Sequence, residues 1–135
     1  REQMELERDT LKADREERDR KRRTILRGRP AGGGMVGPSH VTRCIHFENY
    51  GADCTNLRLE LRRGGQILAQ NHTPMLAKGR TAEIQFHSEV GIQLSELDIQ
   101  CLYVDVENVQ QSESFRIEDH AHNPDDHFNF TITPA

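Results

Sequence analysis

Cysteine is scarce in this chain of 135 residues: Cys44, Cys54 and Cys101 are odd in number and show no CxxC spacing, which excludes a zinc knuckle and a complete disulfide framework. A reducing compartment is favoured, with a single bridge such as Cys44 to Cys101 as the other reading, because Cys is also a common small buried hydrophobe. No stretch of about 18 apolar residues occurs, so nothing in the sequence reads as a bilayer-spanning helix. Catalytic spacing is missing too. No Ser/His/Asp or Cys/His arrangement is set up locally, and Gly32-Gly33-Gly34 lacks the Gly-Lys-Ser/Thr and following helix of a phosphate-cradling loop. The expectation is a non-enzyme without a cofactor.

Hydrophobic residues make up 34% and charged residues 30%, too polar for one globule but sensible for a normal core joined to a solvated segment. Residues 1–29 carry 11 Lys/Arg against 8 Asp/Glu, whereas residues 30–135 carry 7 against 14. Phosphate binding needs a positive surface, so the acidic body is not expected to read nucleic acid. Anything anionic, lipid or nucleic acid, would be met by the arm through Arg18, Arg20, Lys21, Arg22 and Arg23. The plainer reading of that cluster is a solvated face balanced by the preceding acids.

Helix-forming residues dominate residues 1–29, and pairs such as Asp14 with Arg18 and Glu17 with Lys21 support a charged α-helical arm or stalk. No apolar residue lies between Ala13 and Ile25, so only weak self-association is expected, with the tail of a longer coiled coil as the second reading. Residues 30–40, rich in Gly and Pro, read as a flexible linker. The domain proper is expected over residues 41–135. There the hydrophobic period changes to two, and seven strands are expected at 41–48, 57–62, 66–70, 80–87, 97–104, 113–117 and 127–133. Their buried face would hold Ile45, Phe47, Leu57, Leu59, Leu61, Ile84, Phe86, Leu97, Ile99, Cys101, Tyr103, Phe115, Ile117, Phe128, Phe130 and Ile132. The polar turn Asn49-Tyr50-Gly51-Ala52-Asp53 would be the entry corner that sets the register of Leu57, Leu59 and Leu61.

Residues 49–61 (NYGADCTNLRLEL) resemble the Asn-x-Gly-x-Ala-x-Asn-Val segment of bacterial immunoglobulin-like sandwich domains of the adhesion-type, CARDB-like group. Residues 74–84 are similar to that group's leucine, proline, glycine, then strand element, and residues 101–106 with 113–117 resemble its closing hairpin. The likeness implies a mainly β protein, a seven-stranded antiparallel immunoglobulin-like β-sandwich behind an N-terminal charged α-helix, and names no ligand. Such domains often follow a membrane helix and a charged stalk. The resemblance therefore implies the soluble part of a larger or membrane-anchored protein, at the cytoplasmic face of a membrane or in the cytoplasm.

The expected role is a non-catalytic protein-interaction or scaffolding module that binds a protein partner by its sheet edges or the loops at one end. The alternative is a metal-binding domain. The densest ionisable segment, residues 118–127, offers His120, His122, Asp125 and His127 as a nitrogen and oxygen set suited to zinc or a similar ion. Its plainer reading is a wet loop, since Asn-Pro-Asp-Asp is ordinary turn chemistry.

Overall fold

Alternation along two strands decides the layering. β2 (His40–Asn49) buries Val41, Arg43, Ile45, Phe47 and Asn49 and turns Cys44, His46 and Glu48 to the other face. β5 (Thr81–Glu89) does the same, with Ala82, Ile84, Phe86 and Ser88 inside. The computed structural model describes residues 22–135; of the helical arm expected over residues 1–29, residues 1–21, with Arg18, Arg20 and Lys21, lie outside the described residues.

The remaining strands are β1 (Leu26–Val36), β3 (Cys54–Arg63), β4 (Gln66–Leu76), β6 (Leu97–Val104), β7 (Gln110–Asp119) and β8 (Phe130–Pro134), with a 3-10 turn at Leu94–Glu96. They form two antiparallel sheets in the orders β1-β2-β5 and β4-β3-β6-β7-β8. Between the sheets, Ile45, Phe47 and Ile84 meet Leu57, Leu59, Leu61, Leu97, Ile99 and Ile117, all at most 2% exposed. Phe47 meets Phe115 edge-on at 5.2 Å between ring centroids. Each such large side chain stabilises the fold by about 1.5–3 kcal/mol on burial. β1 lies against β8, and β4 against β5, where Asn71 Nδ2 donates to the Glu83 carbonyl.

All seven expected strands form, and an eighth, β1, occupies the stretch expected to end the arm and make the linker. Here glycine serves close packing. A Cβ on Gly28 would stand 2.7 Å from Ile132 Cγ2 and 2.8 Å from Phe47 Cε1, and one on Gly33 would collide with the Thr42 carbonyl. Pro30 is tolerated because β1 is an edge strand, and the register shifts between Pro30 and Gly33. Phe128 also departs from expectation, being 38% exposed.

The arm's described end is therefore strand from Leu26 onward, and among the described residues no helix is long and apolar enough to cross a membrane. Over the described residues this corrects the expectations of a coiled coil, of self-association through a helical arm and of membrane anchoring. The expected place at a membrane's cytoplasmic face loses its basis with them.

Asn49, fully buried, ties the corner together. Its Nδ2 donates to the carbonyls of Ala52 (2.8 Å) and Leu76 (3.1 Å), and its Oδ1 accepts from the amides of Gly51 (2.9 Å) and Ile25 (3.4 Å). That exhausts an amide's two donors and two main acceptor positions. Its backbone also pairs with Arg80 and Gly79 at the start of β5.

Asn49→Asp should expose this dependence through pH. A buried carboxylate facing the Ala52 and Leu76 carbonyls has its folded pKa raised, so destabilisation grows as pH rises from about 4, the unfolded value. Denaturant unfolding should show a loss of about 3 kcal/mol or more at pH 7 and a smaller one near pH 3. Equal losses at both would contradict the assignment.

Candidate metal centre

Two residues apart on one strand, Cys44 and His46 share the outer face of the three-stranded sheet. The β2–β5 register then sets Glu83 directly opposite His46 and Gln85 opposite Cys44. Cross-strand and diagonal neighbours in such a ladder are within side-chain reach. Glu83 Oε2 lies 3.2 Å from His46 Nε2 and 3.6 Å from Cys44 Sγ, and the three potential ligand atoms lie within 4.8 Å of one another. Among the described residues no other group of His, Cys, Asp and Glu meets that condition.

These separations have a chemical meaning. Donors around one tetrahedral ion, with bonds of about 2.0–2.3 Å, stand about 3.3–3.8 Å apart. The Glu83 carboxylate already stands near those distances from both partners. A thiolate, an imidazole and a carboxylate form a set that borderline ions such as Zn2+ accept, whereas Mg2+ and Ca2+ prefer oxygen alone.

The sheet positions the site. Cys44 and His46 both sit mid-strand in β2: His46 is paired on both sides, with Arg29 of β1 and Glu83 of β5, whereas Cys44 is paired with Gln85 of β5 and faces the register shift between Pro30 and Gly33 on its β1 side. Cys44 and His46 are half-buried and Glu83 is exposed. Burial pushes the Cys44 thiol up, and the adjacent Glu83 carboxylate adds to the shift. Arg29, opposite His46 on β1, has its guanidinium 3.4 Å from Glu48.

The other two cysteines are unlike Cys44. Cys54 and Cys101 are buried, Cys54 is pushed up to about 11 by burial and the Asp53 charge, and burial pushes Cys101 up further. All three are free thiols, so the bridge between Cys44 and Cys101 does not form. Cys44 faces out of one sheet while Cys101 lies inside the other. Tyr103, on β6, donates its hydroxyl to Glu113 Oε1 at 2.7 Å.

The loop residues are placed separately. His120 Nε2 lies 2.9 Å from Thr131 Oγ1, and the Asp125 amide donates to Asn123 Oδ1 in a turn. His127 offers its backbone carbonyl to Arg43 Nε at 2.7 Å, and His122 is exposed. The structure does not gather His120, His122, Asp125 and His127 into one coordination set. Of the basic cluster, Arg22 pairs with Glu107 at 3.1 Å and the Arg23 carbonyl accepts from the Ala52 amide.

No protein-family model, curated protein or solved structure matches this chain. The resemblance to the CARDB-like group therefore receives no family assignment. What stands is an eight-stranded, two-sheet, β-rich domain.

Sequence reasoning missed the centre because its third member is 37 residues from His46. The local signal was present as Cys44-x-His46 on an alternating strand. Only the pairing of β2 with β5 supplies Glu83.

In the folded protein, Cys44 should be the fastest of the three thiols to react with iodoacetamide, though slower than a free thiol because its pKa is raised, since Cys54 and Cys101 are at most 1% exposed. Peptide mapping by mass spectrometry checks this. Labelling of Cys54 at a rate comparable to Cys44 under native conditions would contradict the placement.

Proposed function

We propose that the domain is a metal-binding β-sandwich that holds a zinc-like divalent ion on the outer face of its three-stranded sheet. Its ligands are Cys44 Sγ, His46 Nε2 and the Glu83 carboxylate. One observation carries the reading: the convergence of thiol and imidazole on the same Glu83 oxygen, at 3.6 and 3.2 Å. Ion binding replaces the protons that hold this cluster together with one central charge. The role is binding, and no catalytic step is assigned to it.

The strand order supports an immunoglobulin-like relation with two changes. The fourth strand pairs with β3 and forms no ladder with β5, which it only touches, and β8 is added beyond β7. In that reading the sandwich is a scaffold, and the rigid ladder of β1, β2 and β5 presents the metal to a protein partner.

Equilibrium dialysis against Zn2+ tests the proposal. One equivalent should bind, and Cys44→Ala, His46→Ala and Glu83→Gln should each weaken binding at least tenfold. The double variant His120→Ala, His122→Ala should bind as the parent does. At a free-ion concentration a hundred times the dissociation constant, the ion should add about 2.7 kcal/mol of stability to the parent. Retention by the three strand variants, or loss in the loop double variant alone, would overturn the assignment.

A further inference from the structure

All three donors of the proposed centre rise from one sheet face, which leaves the opposite hemisphere of a bound ion uncovered. Among the described residues no fourth His, Cys, Asp or Glu joins the set. His87 shares the same face of β5, yet it sits opposite Thr42, with its Nδ1 2.6 Å from Thr42 Oγ1. Resting on the metal reading above, we propose that the fourth coordination position is open and takes an imidazole, supplied by a histidine side chain of a partner polypeptide docked on this sheet face.

Charge selects the donor. A divalent ion with one thiolate and one carboxylate is already neutral, so an imidazole leaves the centre neutral while an anion makes it negative. The surrounding body is acidic, with 7 Lys/Arg against 14 Asp/Glu over residues 30–135. The cation opposite His46 on β1, Arg29, is directed at Glu48. Nitrogen donors also suit a borderline ion.

Shape selects the partner. None of the principal clefts among the described residues is lined by Cys44, His46 or Glu83. A free small molecule would find no wall to hold it, since small-ligand sites are concave. A donor on a polypeptide brings its own contacts, and the outer faces of β1, β2 and β5 offer polar side chains to receive them, among them Arg29, Glu48, Gln85 and His87.

Cobalt substitution tests this on the whole chain. With Co2+ bound, the visible d–d bands report coordination and a sulfur-to-metal charge-transfer band reports Cys44. Titrated imidazole should shift the d–d bands while the charge-transfer band persists, and azide should need at least a tenfold higher concentration for a comparable shift. His87→Ala should respond as the parent does. Bands unmoved by imidazole in a cobalt-loaded chain would overturn the open position while leaving the metal site standing. A response seen only in His87→Ala would show that His87 fills the position, and a stronger response to azide would overturn the choice of donor. Failure to bind cobalt with a sulfur charge-transfer band would overturn the centre and this inference together.

Discussion

A single buried amide joins the ends of β2, β3, β4 and β5. Asn49 engages the carbonyls of Ala52 and Leu76 and the amides of Gly51 and Ile25, and its own backbone bonds to Arg80 and Gly79. Because β2 ends at this corner and β5 starts from it, the rung Glu48↔Thr81 is set and every later rung follows. Three rungs of consequence are His46↔Glu83, Cys44↔Gln85 and Thr42↔His87. A slip of one residue would carry Cys44 and His46 to the core face and bring Ile45 outward. The metal centre is thus a product of register, and the register is a product of a fully satisfied buried polar group.

The same corner shows why local signals misread β1. Gly28, Pro30 and the glycines after it have the composition of a flexible joint, and no apolar alternation marks the segment. Its order comes from outside itself, through pairing with β2 from Leu26↔Asn49 to Val36↔His40. The missing side chain at Gly28 leaves room for Phe47 and Ile132. Space and flexibility favour the same residue for opposite reasons, and only the neighbouring surface distinguishes them.

Much of the sandwich was legible because burial imposes a period of two. Ile45, Phe47, Ile84, Leu97, Ile99, Phe115 and Ile117 all lie inside, as their alternation predicts. The same alternation places Cys44, His46 and Glu83 on outward faces, which is half of the site. The other half is the pairing of strands distant in sequence, which no local pattern encodes. The segment 118–127 shows the converse. Its His and Asp residues are dense in sequence, yet His120 turns to Thr131, the Asp125 amide closes a turn on Asn123, and no three of the segment's donor atoms lie within 4.8 Å of one another. Proximity along the chain is a poor guide to coordination when the backbone between the residues is turning.

X-ray absorption at the zinc edge of the metal-loaded chain tests the central claim most directly. The account predicts one sulfur at about 2.3 Å together with nitrogen and oxygen donors at about 2.0–2.2 Å, and loss of the sulfur shell in Cys44→Ala. A first shell made only of nitrogen and oxygen in the parent, or a sulfur shell that survives in Cys44→Ala, would contradict it.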